Sequence, residues 1–359
     1  MRKWTEAQPS PMITDAIRRL TGLIFLGDSS RIHNSTWLRA TGDYVKNAMG
    51  AAIAMHKVPP LFLPILHWIL PECRALRKTS KEIIKSLSPE VKRKLENYEY
   101  KPDRRDIKVR VPVSLDWLSS AARDLKIENY NMVGGEFSLT TSNIRNVGVN
   151  VFAGLMRLAI YPEYVEPLRR EIIDVLQSTT KLDKAALFRM RRLDSFLKES
   201  ARHDSFPTTL RRLAMRDTKF SDGTIIPKDT HCMIAPVPMK NAEIYGQDEN
   251  QFDGFRYMKL RESAIARGSS GEQYQYCSTG NDDTVFGTGV HVCPARFLAT
   301  FEVKIIVAYM LLHYDFLIPP GEEDETLIEL DYDRYINDGR KIWYRIRQPE
   351  VDWKSKATW

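Results

Sequence analysis

One cysteine, Cys293, stands in the stretch Phe286-Gly-Thr-Gly-Val-His-Val-Cys-Pro-Ala-Arg296. Taken alone, it reads equally well as a small packing residue or an inert thiol, as most cysteines do. Its setting points to chemistry. Gly287 and Gly289 allow backbone conformations and a close approach that side chains deny. Helical spacing resumes over Ala295 to His313, so the thiol lies beside a helix N-terminus, where converging N–H groups and the dipole stabilise a thiolate. The thiolate is the form of cysteine that binds metal, and such a loop can present it to a flat cofactor. His291, two residues upstream, can point a charge at a cofactor carboxylate. Zinc is a poor fit, because His291 and Cys293 have no partner pair at metal-ligand spacing.

A second pattern lies upstream in Glu199-Ser-Ala-Arg202, where residues three apart share a helix face and a carboxylate can meet a guanidinium. By itself such a pair reads as a surface bridge of little energetic worth. Further on, Phe252-Asp-Gly-Phe-Arg256-Tyr supplies another arginine. Arginine's planar fork suits bidentate pairing better than lysine does.

These segments together resemble the cytochromes P450. Phe286, Gly289, His291 and Cys293 match the family's cysteine loop, with Ala295 at its last glycine position; Glu199 and Arg202 match its Glu-x-x-Arg helix; Phe252 to Tyr257 resembles its downstream arginine segment. The resemblance implies a mainly α fold with a small β region. It further implies haem b held by Cys293 as the axial iron ligand, and a structural triad of Glu199, Arg202 and Arg256 beneath the cysteine loop. Arg212 stands where the family commonly has a haem-propionate contact; an exposed arginine beside Arg211 is the other reading. Monooxygenation is the implied activity, in which the thiolate donates electron density that favours O–O cleavage, a role the general chemistry of haem ligation assigns to this family. Electrons would come from NADPH through a separate cytochrome P450 reductase, since no Gly-rich dinucleotide fingerprint occurs in the chain.

Tyr161-Pro-Glu-Tyr-Val-Glu-Pro-Leu-Arg and Cys293-Pro-Ala-Arg-Phe resemble fungal microsomal enzymes of secondary metabolism. That likeness implies a bulky apolar substrate of terpenoid, alkaloid or polyketide type, and a place on the cytosolic face of the endoplasmic reticulum. Two departures stand out. Counting back from Pro162 without gaps puts Arg145 and Asn146 at the family's acid-threonine positions. A gapped register uses Thr140 and Thr141 instead. In the first register Asn146 can still orient water, since an amide both donates and accepts. The second departure is length: the likeness starts near Trp4, so the family's membrane anchor, first strands and an upstream helix are expected to be missing. A haem-thiolate isomerase or dehydratase, needing no acid-threonine pair, and a non-catalytic remnant are the competing readings.

The elements that must position these residues follow from periodicity. Apolar residues recur at helical spacing from Ile13 to Ser88, with breaks at Gly27-Asp28 and Pro59-Pro60. Lys101 to Arg110 reads as a charged turn, and Ser114 as the cap of a new helix. Ile144, Val147, Val151, Leu155 and Leu158 mark a long helix that stops before Pro162. Pro162 then opens an amphipathic helix to about Gln177, and Leu193 to His203 forms another. Short β runs occupy Ala214 to Pro236, separated by turns at Ser221-Asp-Gly-Thr and Pro227-Lys-Asp. The stretch from Asn241 to Gly289 reads as a long irregular loop. A hairpin closes the chain. One domain over residues 1–359 is expected, helical to about 213 and then β plus the cysteine loop.

The whole chain sets outer limits. Its 359 residues, 43% of them hydrophobic, can supply a substantial core. Lys and Arg number 53 against 46 for Asp and Glu, a net charge of +7 scattered along the sequence. Scatter argues against nucleic acid, whereas an acidic electron donor or anionic membrane surface suits such a field. Four widely spaced cysteines without a C-x-x-C pair argue against a disulfide framework. No apolar run is long enough for a membrane span. The nearest, Val58 to Pro71, holds four prolines and is read either as a buried helix pair or channel wall, or as a superficial membrane contact.

Overall fold

The computed structural model describes residues 3–27, 35–96, 113–203, 209–234, 241–246, 249–318, 327–330, 333–337 and 339–356. In chain order the elements are β1 (Thr5–Ala7), α1 (Pro9–Leu26), α2 (Ser35–His56), α3 (Leu63–Ile69), α4 (Pro71–Glu96), α5 (Ser114–Asp124), α6 (Met132–Ile160), α7 (Val165–Gln177), α8 (Lys184–Arg189) and α9 (Arg191–His203). There follow β2 (Thr209–Leu213), β3 (Thr218–Lys219), β4 (Ile225–Ile226), β5 (His231–Ile234), α10 (Ala242–Tyr245), α11 (Arg256–Ala266) and α12 (Arg296–His313). The chain ends with β6 (Tyr314–Leu317), β7 (Leu327–Leu330), β8 (Asp333–Ile336), β9 (Ile342–Ile346) and α13 (Trp353–Lys356). The fold is mainly α with small antiparallel sheets, as the sequence implied.

Two compact units divide the chain, residues 11–148 in one and residues 1–10 with 149–359 in the other. In the first, Leu26, Trp37, Leu38, Ala40, Ile83 and Leu87 form a core from α1, α2 and α4, with Tyr44, Val133 and Phe137 against it. These residues recur at three- and four-residue spacing, which is why their helices can bury one stripe each. Ser114 is not the cap of α5: that position belongs to Val113, whose N–H is bound by Asp116 at 2.7 Å. The Ser114 hydroxyl instead reaches the Phe25 carbonyl at 2.7 Å and the buried Glu136 carboxyl at 2.6 and 2.8 Å. A cap needs its oxygen turned back on its own helix, and here tertiary partners take it.

The helix α3 corrects another expectation. None of its residues is buried, and Leu61, Phe62, Ile65, Trp68 and Ile69 are 50–82% exposed, so the Val58 to Pro71 stretch is not a buried helix pair. Arg77 braces it, donating to the His67 and Trp68 carbonyls at 2.9 and 3.0 Å and lying over the Trp68 ring. Among the described residues no helix is long and apolar enough to cross a membrane.

In the second unit, the last turns of α6 pack on α9 and α12. Val151, Phe152, Leu155, Met156 and Leu158 are at most 1% exposed. Gly154 permits this closeness, because a methyl group there would stand 2.9 Å from Leu197. The terminal strands meet in one sheet, ordered β1-β9-β6, with Thr5 opposite Tyr344 and Phe316 on the other side of that same tyrosine. The Asn241 to Gly289 stretch is less irregular than expected: α11 occupies Arg256–Ala266, and only Arg256, Tyr257 and Ala264 of it are buried. So thin a buried stripe leaves little periodic signal to read. The expected turn at Lys101 to Arg110 lies outside the described residues.

Candidate functional site

The cysteine loop is held by backbone hydrogen bonds. Cys293 donates its N–H to the Phe286 carbonyl at 2.7 Å, Gly287 to Thr284 at 2.9 Å and Val292 to Gly289 at 3.2 Å. Gly289 to His291 form one tight 3-10 turn. Gly287 has φ of +75°, and a Cβ on it would stand 3.1 Å from the His291 carbonyl, so this position excludes other residues twice over. Arg296 closes the loop by donating to the Cys293 carbonyl at 3.0 Å as α12 begins. The Cys293 thiol is half-buried, forms no disulfide, and has no hydrogen-bond partner among the described residues.

Apolar residues on either side of Cys293 in the chain are exposed. Val290 is 96% exposed and Phe297 46%, while a Cβ added at Gly289 would meet nothing within 4 Å. Ala295 is exposed, so its methyl presses on no protein atom that would need a glycine there. An unpartnered thiol beside a helix N-terminus, with bare apolar residues and open space over a glycine, fits a flat apolar metal complex. His291 is exposed on the same turn. Arg212 lies on β2 opposite Cys232, exposed, with its guanidinium donating to the neighbouring Arg211 carbonyl at 2.8 Å.

The structure brings Glu199, Arg202 and Arg256 together. Arg202 forks onto Glu199 with two bonds of 2.8 Å, and Arg256 Nε adds a third at 3.1 Å. The Asp253 N–H donates to the same carboxylate at 3.2 Å, and His203 Nε2 lies 3.3 Å from it. Arg256 also donates to the Tyr245 and Gln251 carbonyls. Glu199 is completely buried. Burial, the largest influence, pushes its carboxyl up, but hydrogen bonds from Arg202 and His203 and the charges of Arg202 and Arg256 together hold it at about 2. Gly254 lets the Phe252–Phe255 bend seat against this cluster: a Cβ there would meet Phe196 at 2.6 Å and Tyr164 at 2.9 Å.

The same helix carries residues that the motif reading missed. Lys198 is 2% exposed; its ammonium donates to the Gln275 carbonyl at 2.8 Å and the Ser278 carbonyl at 3.1 Å, and pairs with Asp283. Asp194 binds Lys304 of α12 at 2.9 Å and accepts from the Tyr276 N–H at 2.8 Å. Tyr276 in turn lies 5.7 Å from the Phe286 ring, centroid to centroid, and its hydroxyl donates to Asn150 at 2.9 Å. Asp194, Lys198 and Arg202 recur every four residues, so one polar stripe of α9 was visible as a pattern. Nothing in the pattern distinguished it from a solvated face.

Arg145 and Asn146 fall on an exposed side of α6, whereas Glu136, Thr140, Thr141 and Asn143 are buried. The Thr141 hydroxyl folds back to the Phe137 carbonyl at 2.8 Å, and the fully buried Thr140 hydroxyl has no partner among the described residues. Asn143 reaches Thr21 of α1 at 3.1 Å.

A half-buried cysteine just before α12 and a buried Glu-Arg-Arg cluster, in one mainly α unit, are the features that resembled the cytochromes P450. Comparison with known proteins agrees. The cytochrome P450 family profile matches residues 3–332, and the chain belongs to that family. It is similar to cytochrome P450 monooxygenase bsc2 of Alternaria brassicicola, with 31% identity over 353 residues, 98% of this chain and 66% of the relative. Cytochrome P450 monooxygenase hepE of Aspergillus oryzae is 32% identical over 321 residues, 89% of this chain and 57% of the relative. TRI1 of Fusarium sporotrichioides, also named a cytochrome P450 monooxygenase, is 30% identical over 90% of this chain and 57% of its own length. The chain thus spans 57–66% of the length of these relatives. Among solved structures, retinoic acid bound cyanobacterial CYP120A1 superposes with a TM-score of 0.68 at 16% identity, covering 95% of this chain and 70% of that one, a likeness of fold.

Proposed function

We propose that the chain is a haem-thiolate monooxygenase that oxidises a bulky apolar small molecule, of terpenoid, alkaloid or polyketide type, in a fungal biosynthetic pathway. The observation that carries this reading is the unpartnered Cys293 thiol on its glycine-bearing loop, in a unit that also holds the buried Glu199 cluster and in a P450 fold. Cys293 would hold the iron of haem b, with Phe286 and Gly289 shaping the loop and His291 and Arg212 offering positive charge to the propionates. Bound there, haem supplies the oxygen chemistry, using dioxygen and electrons passed from NADPH by a separate cytochrome P450 reductase. Glu199, Arg202 and Arg256 keep the support beneath the thiol in one arrangement. For proton supply, Asn146 and Arg145 of α6 are the residues proposed in the ungapped register, and Thr140 with Thr141 in the gapped one.

The test is a carbon-monoxide difference spectrum of the reduced protein, with Cys293→Ala beside it. A thiolate-type Soret band is expected for the unmodified chain and its loss in the variant; a band that survives the substitution sinks the ligand assignment. An unmodified chain that takes up no haem is the non-catalytic remnant. Turnover without reductase identifies an isomerase or dehydratase.

The same reading places the protein at the cytosolic face of the endoplasmic reticulum, with α3 and the turn before it as a peripheral membrane contact. Five large apolar side chains stand exposed there, and Lys57, Arg74 and Lys78 are nearby in sequence to meet anionic headgroups. Replacing Leu61 and Ile65 with serine is expected to lower binding to anionic lipid vesicles by about a hundred-fold or more, since each leucine-sized side chain contributes about 1.5–3 kcal/mol when removed from water. Unchanged sedimentation with vesicles would contradict it.

A further inference from the structure

We propose that Lys198 is a positioning residue for the cysteine ligand, acting through Asp283 and Val285 on the backbone bond that fixes Cys293. The proposal rests on Cys293 as the ligand, and it is carried by a continuous set of contacts within one compact unit.

Lys198 is a lysine in the interior, 2% exposed, and an ammonium there needs a full set of acceptors. It has them: the Gln275 carbonyl, the Ser278 carbonyl and the Asp283 carboxylate, with the Tyr257 ring 5.0 Å away. All three acceptors belong to the irregular segment that leads into the cysteine loop. Asp283 spends its other oxygen on the Val285 N–H at 3.3 Å. The next residue, Phe286, offers the carbonyl that receives the Cys293 N–H at 2.7 Å. A buried charge on the rigid α9 therefore reaches the ligand residue through one side chain and two backbone groups.

The neighbouring Asp194 does for Tyr276 what Lys198 does for Asp283. It ties the segment to α9 by a backbone N–H and to α12 through Lys304. Tyr276, the partner of Asp194, meets the loop through the Phe286 ring, whereas Asp283, the partner of Lys198, meets it through the Val285 backbone N–H. The motif that marks this helix names Glu199 and Arg202, and those two face Arg256 and the Phe252–Phe255 bend. Lys198 is bonded to the Gln275–Asp283 segment instead. Lys198 and Glu199 are adjacent, so their side chains leave the helix about 100° apart and reach different partners.

The test separates holding the loop from holding the fold. In the haem-free protein, amide hydrogen exchange at Cys293 reports its bond to Phe286 directly. Lys198→Met is expected to quicken that exchange about ten-fold, the loss of one charge-assisted hydrogen bond. Lys198→Met with Asp283→Asn removes the stranded carboxylate, so overall stability is expected to recover while exchange at Cys293 stays fast. Arg169→Met removes another buried cation, one bound to the Leu311 carbonyl and Asp315, and is expected to leave Cys293 exchange unchanged. In haem-loaded protein the Lys198 variants should show a smaller share of the thiolate-type carbon-monoxide band. Should Lys198→Met fail to fold, the double variant carries the measurement. Slow exchange at Cys293 in the lysine variants, or equally fast exchange in Arg169→Met, overturns the assignment. Failure of the unmodified chain to bind haem would instead count against the monooxygenase reading, with the exchange data still deciding the tether.

Discussion

The cluster at Glu199 and the loop at Cys293 belong to one compact unit and are built on opposite terms. Glu199 has no exposed surface, and its carboxylate oxygens are filled by two arginines, a histidine and a backbone N–H. Cys293 is half-buried with a bare thiol, flanked by a valine that is almost wholly exposed. Charge is buried where a single arrangement must be enforced, because an unpaired buried charge is so costly that only the paired geometry persists. The group proposed to meet metal is left without a hydrogen-bond partner among the described residues. Within one unit, the buried cluster is closed by its partners and the cysteine is left open.

The sharpest way to break this comparison is at the buried end. Glu199→Gln leaves Arg202 and Arg256 without their shared anion and is expected to cost about 3–5 kcal/mol in urea unfolding. A cost below about 1 kcal/mol would mean that the cluster is no firmer than a surface pair. The pH dependence has a definite sign. The Glu199 carboxyl is held at about 2 against an ordinary 4.5, burial being outweighed by its arginine partners. A depressed carboxyl stabilises the fold fully above its unfolded value and loses that contribution as pH falls through the folded one. Stability worth about 3 kcal/mol should therefore disappear between pH 4.5 and about 2 in the unmodified chain and not in Glu199→Gln.

A smaller effect is expected at the exposed end. Gly287→Ala forces a side chain into φ of +75° and against the His291 carbonyl, at an expected cost of about 1–2 kcal/mol. Because this strain falls on the loop rather than the core, haem content measured after purification should drop more than the unfolding midpoint does. A midpoint shift as large as that of Glu199→Gln would erase the distinction between support and loop.

Much of the scaffold was legible along the chain. The end of α6 before Pro162, the span of α7 to Gln177, the helix through Glu199 and the helix after Cys293 all follow from local periodicity and proline stereochemistry. The cysteine loop was legible for a similar reason: its glycines, cysteine and following helix are consecutive. Less legible was α9 as a whole. Its sequence, Arg-Arg-Leu-Asp-Ser-Phe-Leu-Lys-Glu-Ser-Ala-Arg-His, is polar enough for a surface helix, yet Leu193 and every residue from Ser195 to Arg202 are buried. Its charges are matched by Arg256, Tyr276, Asp283 and Lys304, all brought from far along the chain.

What the sequence determined by itself was therefore the family, the glycine-bearing cysteine loop and the order of helices, each encoded in residues close enough to constrain one another directly. Tertiary structure alone decided that Lys198 faces Asp283, that Thr5 at one end pairs with Tyr344 near the other, and that the apolar stretch around Trp68 stays on the surface. These are matters of which distant partner fills a buried charge, a strand edge or an apolar face. Local spacing carries no record of a partner that only chain closure brings near.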